Sequence, residues 1–154
     1  MSTSTTMRHR DLPQDIERIA HTVLGCAIEV HRELGPGLLE KLYEDALVYE
    51  LRESGLVVTQ QAEIVVPYKS TELRGQRLDL LVEHQIIVEL KAITQITDIH
   101  GAQLLSYLRA AQLPLGLLIN FNVIVLKNGL ARILNERAIP VSSSRSSQPS
   151  SSES

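Results

Sequence analysis

The sequence predicts a mixed α/β fold in which a β-sheet is flanked by helices. Two observations carry this prediction. Two amphipathic helical segments open the chain, and short apolar runs that are typical of strands lie on both sides of a third helical segment. The predicted order is therefore two helices, three strands, one helix and two or three further strands, α-α-β-β-β-α-β-β in its shorter form. A chain of 154 residues fits a single domain and can bury a core without disulfides.

Each predicted element carries its own local signal. The first helix, Leu12–Leu34, repeats apolar residues at helical spacing, and Pro13 suits its first turn with Asp11 as a candidate N-cap. The second helix, Leu38–Ser54, begins after a Gly-Pro-Gly turn and ends at Gly55. The remaining predicted elements are the strands Val57–Tyr68, Leu73–Val82 and Ile86–Lys91, the helix Ile99–Ala111, and the strands Leu115–Phe121, Val123–Leu126 and Leu130–Leu134.

Composition predicts one ordered domain between two polar ends. Residues 1–11 form the predicted flexible leader, residues 12–141 the domain, and residues 142–154 a disordered tail in which nine of 13 residues are serine. No segment approaches the ~20 apolar residues of a membrane span. A single cysteine, Cys26, excludes an intrachain disulfide. These features predict a cytoplasmic location.

The most informative segment is a predicted hairpin of two apolar strands. Its apolar rows are Leu78, Leu80 and Val82 on one strand and Ile86, Val88 and Leu90 on the next. Because side chains alternate across a strand, both rows are expected to face one core, which leaves Asp79, Glu89 and Lys91 on the other face. Charged groups on a strongly apolar hairpin need partners.

Strand register brings the two carboxylates together. A three-residue turn from Glu83 to Gln85 places Asp79 opposite Glu89, and like charges directly opposed are destabilising. A hard divalent cation such as Mg²⁺, which binds through carboxylate and carbonyl oxygens, would relieve that repulsion. Taken alone, the hairpin is more typical of a half-exposed sheet face with a solvated Glu-Lys pair, because surface charges on strands are common.

Two helices supply further candidate residues. Glu40 lies near the start of the second helix, where carboxylates are also favoured by the helix dipole alone. Gln103 and Tyr107 lie one turn apart on the third helix and can point back toward the strand that carries Glu89, although Tyr107 is also compatible with the rim of the core. The apolar face predicted for this helix is Ile99, Ala102, Leu105, Leu108 and Ala111.

The ordered combination of these residues resembles a known superfamily. Asp79, then Glu89-Leu-Lys91, then Gln103-x-x-x-Tyr107 resembles the PD-(D/E)xK nuclease superfamily. The segment Gly-Pro-Gly-Leu-Leu-Glu40-Lys-Leu-Tyr-Glu, with Val-His-Arg-Glu-Leu before it, resembles the GxxExxY protein family within that superfamily. The resemblance spans roughly residues 16–134. It departs from the superfamily's name at one position, because a leucine precedes Asp79 where the name has proline.

The resemblance implies a restriction-endonuclease-like mixed β-sheet flanked by helices and a metal-dependent nuclease activity. Asp79 and Glu89 would bind Mg²⁺, for which Mn²⁺ could substitute, and the backbone carbonyl of Leu90 would add a ligand. Lys91 would position or deprotonate the attacking water, or stabilise the charged transition state. Glu40 would be an outer carboxylate that reaches the metal directly or through water.

The resemblance also implies a nucleic-acid partner, with DNA the expected substrate and Gln103 and Tyr107 as substrate-positioning residues. The nearest candidates for phosphate contacts are Lys69, Arg74, Arg77 and Arg109. A net charge of −3 excludes a surface that is basic overall. It keeps open a second hypothesis, a non-catalytic module that retains the nuclease fold and binds nucleic acid or protein. It also keeps open a homodimer or a protein partner that supplies DNA affinity.

Overall fold

The structure is a computed structural model that describes residues 11–140. The predicted leader, apart from Asp11, and the predicted tail lie outside this range. The predicted order of elements is confirmed within it. The helices and strands are α1 Gln14–Leu34, α2 Glu40–Glu53, β1 Val58–Tyr68, β2 Thr71–Val82, β3 Ile86–Lys91, α3 Asp98–Ala111, β4 Leu115–Asn120 and β5 Leu130–Leu134. None of these helices has the length and apolarity that crossing a membrane would require.

The five strands form one mixed sheet in the order β1-β2-β3-β4-β5. Strands β3 and β4 are parallel, and the other neighbours are antiparallel. The parallel pair requires a crossover, which α3 provides. The carboxyl ends of β3 and β4 therefore lie at one edge of the sheet, and the connection into α3 starts at that edge.

The core has one half on each face of the sheet. On the first face α1 and α2 pack through residues such as Val23 and Leu47 against Leu80 and its neighbours. On the second face α3 packs through Leu104 and Leu108 against residues of β2, β3 and β4. The sheet is thus covered on both sides, which explains why all six residues of β4 are buried.

Leu78 does not share a face with Leu80, contrary to the sequence prediction. Leu80 and Val82 belong to the core half under α1 and α2, whereas Leu78 packs with α3. Gln61, opposite Asp79 on β1, has a left-handed backbone with φ of 54°. Such irregularities bend a strand pair and re-aim its side chains, and here the change of face occurs between Leu78 and Leu80.

The predicted strand Val123–Leu126 is wrong. Strand β4 already pairs with β3 on one side and β5 on the other, so this segment has no free sheet edge beside β4. It instead forms a bend that leads into a 3₁₀ turn, Leu126–Gly129, and the carbonyl of Val123 lies 2.7 Å from His31 Nε2. Apolar content alone does not distinguish such a connection from a strand.

Two helix details also differ from the prediction. The N-cap of α1 is Pro13 rather than Asp11, and α1 begins at Gln14. The buried face of α3 consists of Leu104, Tyr107 and Leu108, while Ile99 is 70% exposed. The predicted apolar stripe lies about one residue out of phase, because small and apolar residues surround much of this helix.

Close packing of α3 on β4 predicts a measurable effect of one methyl group. A Cβ at Gly116 would lie 2.8–2.9 Å from three side-chain carbons of Leu104, which is fully buried. We expect Gly116→Ala to lower the free energy of unfolding by about 1–3 kcal/mol, measured by denaturant titration. Gly25→Ala is the control, because a Cβ there meets no atom within 4 Å. This substitution also replaces a glycine in a helix interior, which should not destabilise the fold. Equal stability of the two variants would contradict the packing described here.

Candidate active site

The hairpin of β2 and β3 has the predicted register. Val82 pairs with Ile86 and Leu80 with Val88, and the three-residue turn closes with Gln85 N donating to Val82 O at 2.9 Å. Glu83 and His84 in the turn adopt left-handed backbone conformations, with φ of 54° and 56°. Continuing this register places Asp79 opposite Glu89.

The carboxylates of Asp79 and Glu89 are bound to the backbone of the same strand pair. Asp79 N donates to Glu89 Oε2 at 2.9 Å, and Leu90 N donates to Asp79 Oδ2 at 2.9 Å. Side-chain oxygens thus take the place of carbonyl acceptors where the two strands diverge. These bonds fix both carboxylates side by side, and Glu89 is only 8% exposed.

Burial and mutual repulsion disfavour the charged forms of this pair. Burial, followed by the charge of Asp79, raises the pKa of Glu89 to about 8. The pKa of Asp79 is also raised, chiefly by burial, although the Leu90 amide works in the opposite direction. The ammonium of Lys91 partly offsets both increases. Anionic carboxylates in this cleft therefore lack sufficient positive charge from the protein.

Glu40 is the first residue of α2, two residues after the predicted helix start at Leu38, and it lies near these charged groups. Its pKa is raised by burial and then by Asp79, and Lys91 opposes the increase. Tyr43 positions this end of α2, because its hydroxyl donates to Gly35 O at 2.6 Å and accepts from Leu38 N at 3.0 Å. The Tyr43 ring stacks on the ring of Phe121, with 4.6 Å between the ring centroids. The Phe121 amide donates to the backbone carbonyl of Lys91.

Glu44 is a member of the site that the sequence analysis did not select. It is 4% exposed and accepts hydrogen bonds from Gln60 Nε2 at 2.8 Å and from Gln61 Nε2 at 3.1 Å. Its charge contributes to the raised pKa of Asp79. The sequence held one signal for it: Glu44 follows Glu40 by four residues and so lies on the same helix face.

The two candidate residues on α3 differ in how the structure places them. Tyr107 is 8% exposed, accepts from Gln76 Nε2 at 2.9 Å, and has a pKa raised by burial and then by Glu89 and Asp79. It therefore lies beside the carboxylates. Gln103 lies one turn earlier and is exposed. None of the hydrogen bonds found between residues 11 and 140 joins Gln103 to the carboxylates.

The basic side chains proposed as phosphate contacts do not converge on this site. Lys69 Nζ lies 5.5 Å from the ring of its neighbour Tyr68, and Arg74 pairs with a glutamate two residues away. Arg77 donates to Gln61 O at 2.9 Å. Arg109 is in the last turn of α3, at the opposite end of that helix from the connection to β3.

The chemistry of the donor set fits a hard divalent cation. Asp79 and Glu89 each accept one hydrogen bond from a backbone amide, and Asp79 Oδ1 also lies 3.5 Å from Gln61 Nε2. Each carboxylate still has lone pairs for a cation. The Leu90 amide donates to Asp79 Oδ2. Because N–H and C=O of a strand residue point to the same side, we expect the Leu90 carbonyl on that side as well. Within residues 11–140, no three His, Cys, Asp or Glu side chains are grouped closely enough to hold a metal by themselves. Mg²⁺ needs only one or two carboxylates when water and substrate oxygens complete its shell.

Comparison with known proteins gives one match. A family model described as the PD-(D/E)XK nuclease superfamily matches residues 17–133, about three quarters of the chain. The matched range runs from the first turn of α1 to β5 and includes every residue of the site described above. No curated protein and no solved structure gives a significant match.

Proposed function

The chain belongs to the PD-(D/E)XK nuclease superfamily, and from that premise we propose that it is a Mg²⁺-dependent nuclease that hydrolyses DNA phosphodiester bonds. Membership indicates a nuclease-type hydrolase acting on nucleic acid. The metal, the DNA substrate and the site residues are our proposal. We also propose, from the Gly-x-x-Glu40-x-x-Tyr43 segment, that the chain is a GxxExxY protein within the superfamily.

One observation carries the proposal: the carboxylate of the buried Glu89 lies beside that of the half-buried Asp79, and Lys91 follows two residues after Glu89 on β3. A buried acidic pair is costly unless a cation compensates it, and the raised pKa of Glu89 records that cost. A site that had lost its function would be expected to lose one of these three groups. All three are present, and both carboxylates are fixed by backbone amides.

Each of these residues has a proposed role in hydrolysis. Asp79, Glu89 and the Leu90 carbonyl would hold Mg²⁺, which supplies Lewis-acid stabilisation of charge on the phosphoryl group. The ammonium of Lys91 would orient the attacking water and stabilise the negative charge that grows on the non-bridging oxygens. The water oxygen would form a new P–O bond as one ester P–O bond breaks. The attacking water would lose a proton to a neighbouring carboxylate or to solvent, and the leaving ester oxygen would take up a proton from solvent.

The surrounding residues would orient the reactants. Glu40, whose pKa responds to Asp79 and Lys91, would act as the outer carboxylate. Tyr107, held by Gln76, and Gln103, exposed one turn away, would position the substrate strand. Positioning of this kind contributes to catalysis because hydrolysis depends on alignment as well as on charge stabilisation.

A non-catalytic module that binds nucleic acid remains the second candidate. The observation that favours it is the net charge of −3, together with Lys69 and Arg74, whose side chains contact sequence neighbours rather than the carboxylates. This candidate predicts DNA binding without cleavage, and a homodimer or protein partner could then supply the affinity.

A cleavage assay with single-stranded, duplex and branched DNA tests the proposal. We expect cleavage with Mg²⁺ or Mn²⁺, none in excess EDTA, and none by Asp79→Asn, which removes one charge at nearly constant shape. Glu63→Gln is the control because this glutamate is exposed on β1. DNA bound without cleavage under all metal conditions would favour the non-catalytic module, and cleavage in EDTA would contradict the proposed metal chemistry.

A further inference from the structure

Gln61 has an unusual backbone conformation directly beside the proposed metal site. It lies opposite Asp79 in the pairing of β1 with β2, between the pairs Gln60–Leu80 and Ala62–Leu78. Its φ of 54° is in the left-handed region, which residues other than glycine rarely adopt. Such a conformation persists only where surrounding contacts enforce it, and it often marks a functional site.

Contacts with three other residues fix Gln61 in this conformation. Arg77 Nη1 donates to its backbone carbonyl at 2.9 Å. Its side-chain nitrogen donates to both oxygens of the buried Glu44 at 3.1 Å and lies 3.5 Å from Asp79 Oδ1. An amide nitrogen carries two hydrogens, so one can serve Glu44 while the other faces Asp79.

Gln61 thereby completes the contacts of the Asp79 carboxylate. The Leu90 amide binds Oδ2, and the Gln61 amide faces Oδ1, so each oxygen has a donor that restricts rotation of the group. An oxygen that accepts one hydrogen bond retains a lone pair for a cation. We propose that Gln61 is a positioning residue, anchored by Glu44, that presents Asp79 to the divalent cation.

This inference rests on the proposed metal site but not on catalysis. Partners that orient a metal ligand typically contribute about 10–100-fold to metal affinity or activity. Gln61 is therefore expected to affect metal binding, whereas Lys91 is expected to affect the reaction itself. Metal binding can be measured without any nucleic acid, so the effect of Gln61 on the metal can be separated from the effect of Lys91 on the reaction.

The neighbouring glutamine provides a matched control. Gln60 also donates to Glu44, at 2.8 Å, but its other side-chain contact is with Asp45, which follows Glu44 on α2, at 3.0 Å. Gln60→Ala and Gln61→Ala each remove a glutamine that donates to Glu44. Only the second removes the contact with Asp79. Gln61→Gly is an additional variant, because glycine accepts the left-handed backbone without strain and so protects the fold.

The experiment is calorimetric titration of each protein with Mn²⁺, followed by cleavage assays across a range of Mg²⁺ concentrations. We expect Gln61→Ala and Gln61→Gly to bind Mn²⁺ at least about tenfold more weakly than wild type, and Gln60→Ala to stay within about twofold. High Mg²⁺ should restore the kcat of both Gln61 variants while leaving Lys91→Ala inactive.

The outcomes separate this inference from the proposed function. If the Gln61 variants bind Mn²⁺ as wild type does, or if Gln60→Ala loses as much affinity, the positioning role is wrong. If wild type binds Mn²⁺ and the variants behave as expected but no DNA is cleaved, the inference stands and the nuclease proposal fails. A wild-type protein that binds no Mn²⁺ would overturn both the positioning role of Gln61 and the proposed metal-dependent nuclease activity.

Discussion

Lys91→Ala is expected to reduce phosphodiester cleavage at saturating Mg²⁺ by roughly a thousandfold, the scale seen when a group that stabilises the transition state is removed. The reason is the position of Lys91 at the end of β3. There its charge opposes part of the increase in the pKa values of Glu40, Asp79 and Glu89, as expected of an ammonium near all three carboxylates. A substrate phosphate that enters this cleft would meet one lysine among several acids. Loss of that lysine removes the positive charge that the protein itself supplies there.

Lys41→Ala is the matched control for this loss. Lys41 follows Glu40 directly, is 65% exposed and pairs with Asp45 at 2.9 Å on the outer face of α2. Its removal should leave cleavage within about twofold, because an exposed pair contributes little. Single-turnover rates on a saturating DNA substrate, together with unfolding curves for both variants, provide the measurement. Undiminished cleavage by folded Lys91→Ala would rule out the proposed role.

The metal-free protein is expected to lose stability as the pH rises from 5 to 8. The folded protein holds the Glu89 proton until about pH 8, whereas the unfolded chain releases it near 4.5. Between these values the folded state binds more protons, so raising the pH favours unfolding. The full shift in the pKa of Glu89 corresponds to a change of at most about 5 kcal/mol in the free energy of unfolding. Water that enters the cleft weakens the effect of burial on Glu89, so we expect the free energy of unfolding to fall by about 2–3 kcal/mol.

A divalent cation should reverse this trend, because it binds the deprotonated carboxylates and its stabilising effect grows with pH. Glu89→Gln should flatten the pH profile of the metal-free protein and abolish the response to Mn²⁺. Glu63→Gln, on the exposed part of β1, should do neither. Denaturant unfolding at pH 5, 6, 7 and 8, with and without Mn²⁺, measures both effects. A wild-type profile that is flat and insensitive to metal would contradict the buried carboxylate pair.

The parts of the site that depend on local sequence periodicity could be predicted. Alternation along two short strands, with a three-residue turn between them, was sufficient to place Asp79 opposite Glu89, and the hydrogen bonds confirm that register. The Gly-Pro-Gly turn was sufficient to place Glu40 near the start of α2, although the predicted helix begins at Leu38 and the observed helix at Glu40. The order of elements followed from the same patterns.

The parts that depend on contacts between distant segments could not be predicted. Burial of Glu44 requires glutamine donors from β1, and its spacing of four residues from Glu40 indicates only a shared helix face, not burial. The left-handed backbone of Gln61 is enforced by Arg77 and Glu44, so its own residue type gives no signal. The change of face between Leu78 and Leu80 occurs beside that residue. The bend at residues 123–125 follows from the occupied edges of β4.

The hydrogen bonds from the Asp79 and Leu90 amides to carboxylate oxygens also make these amides spectroscopic reporters. Most amides in a sheet face carbonyl oxygens, whose charge does not change, but these two face groups that gain and lose a proton. Their ¹H and ¹⁵N resonances should shift together during a pH titration and shift again when diamagnetic Mg²⁺ is added. Two cross-peaks in a correlation spectrum would then follow ionisation and cation occupancy of the cleft in solution, without substrate or an attached probe.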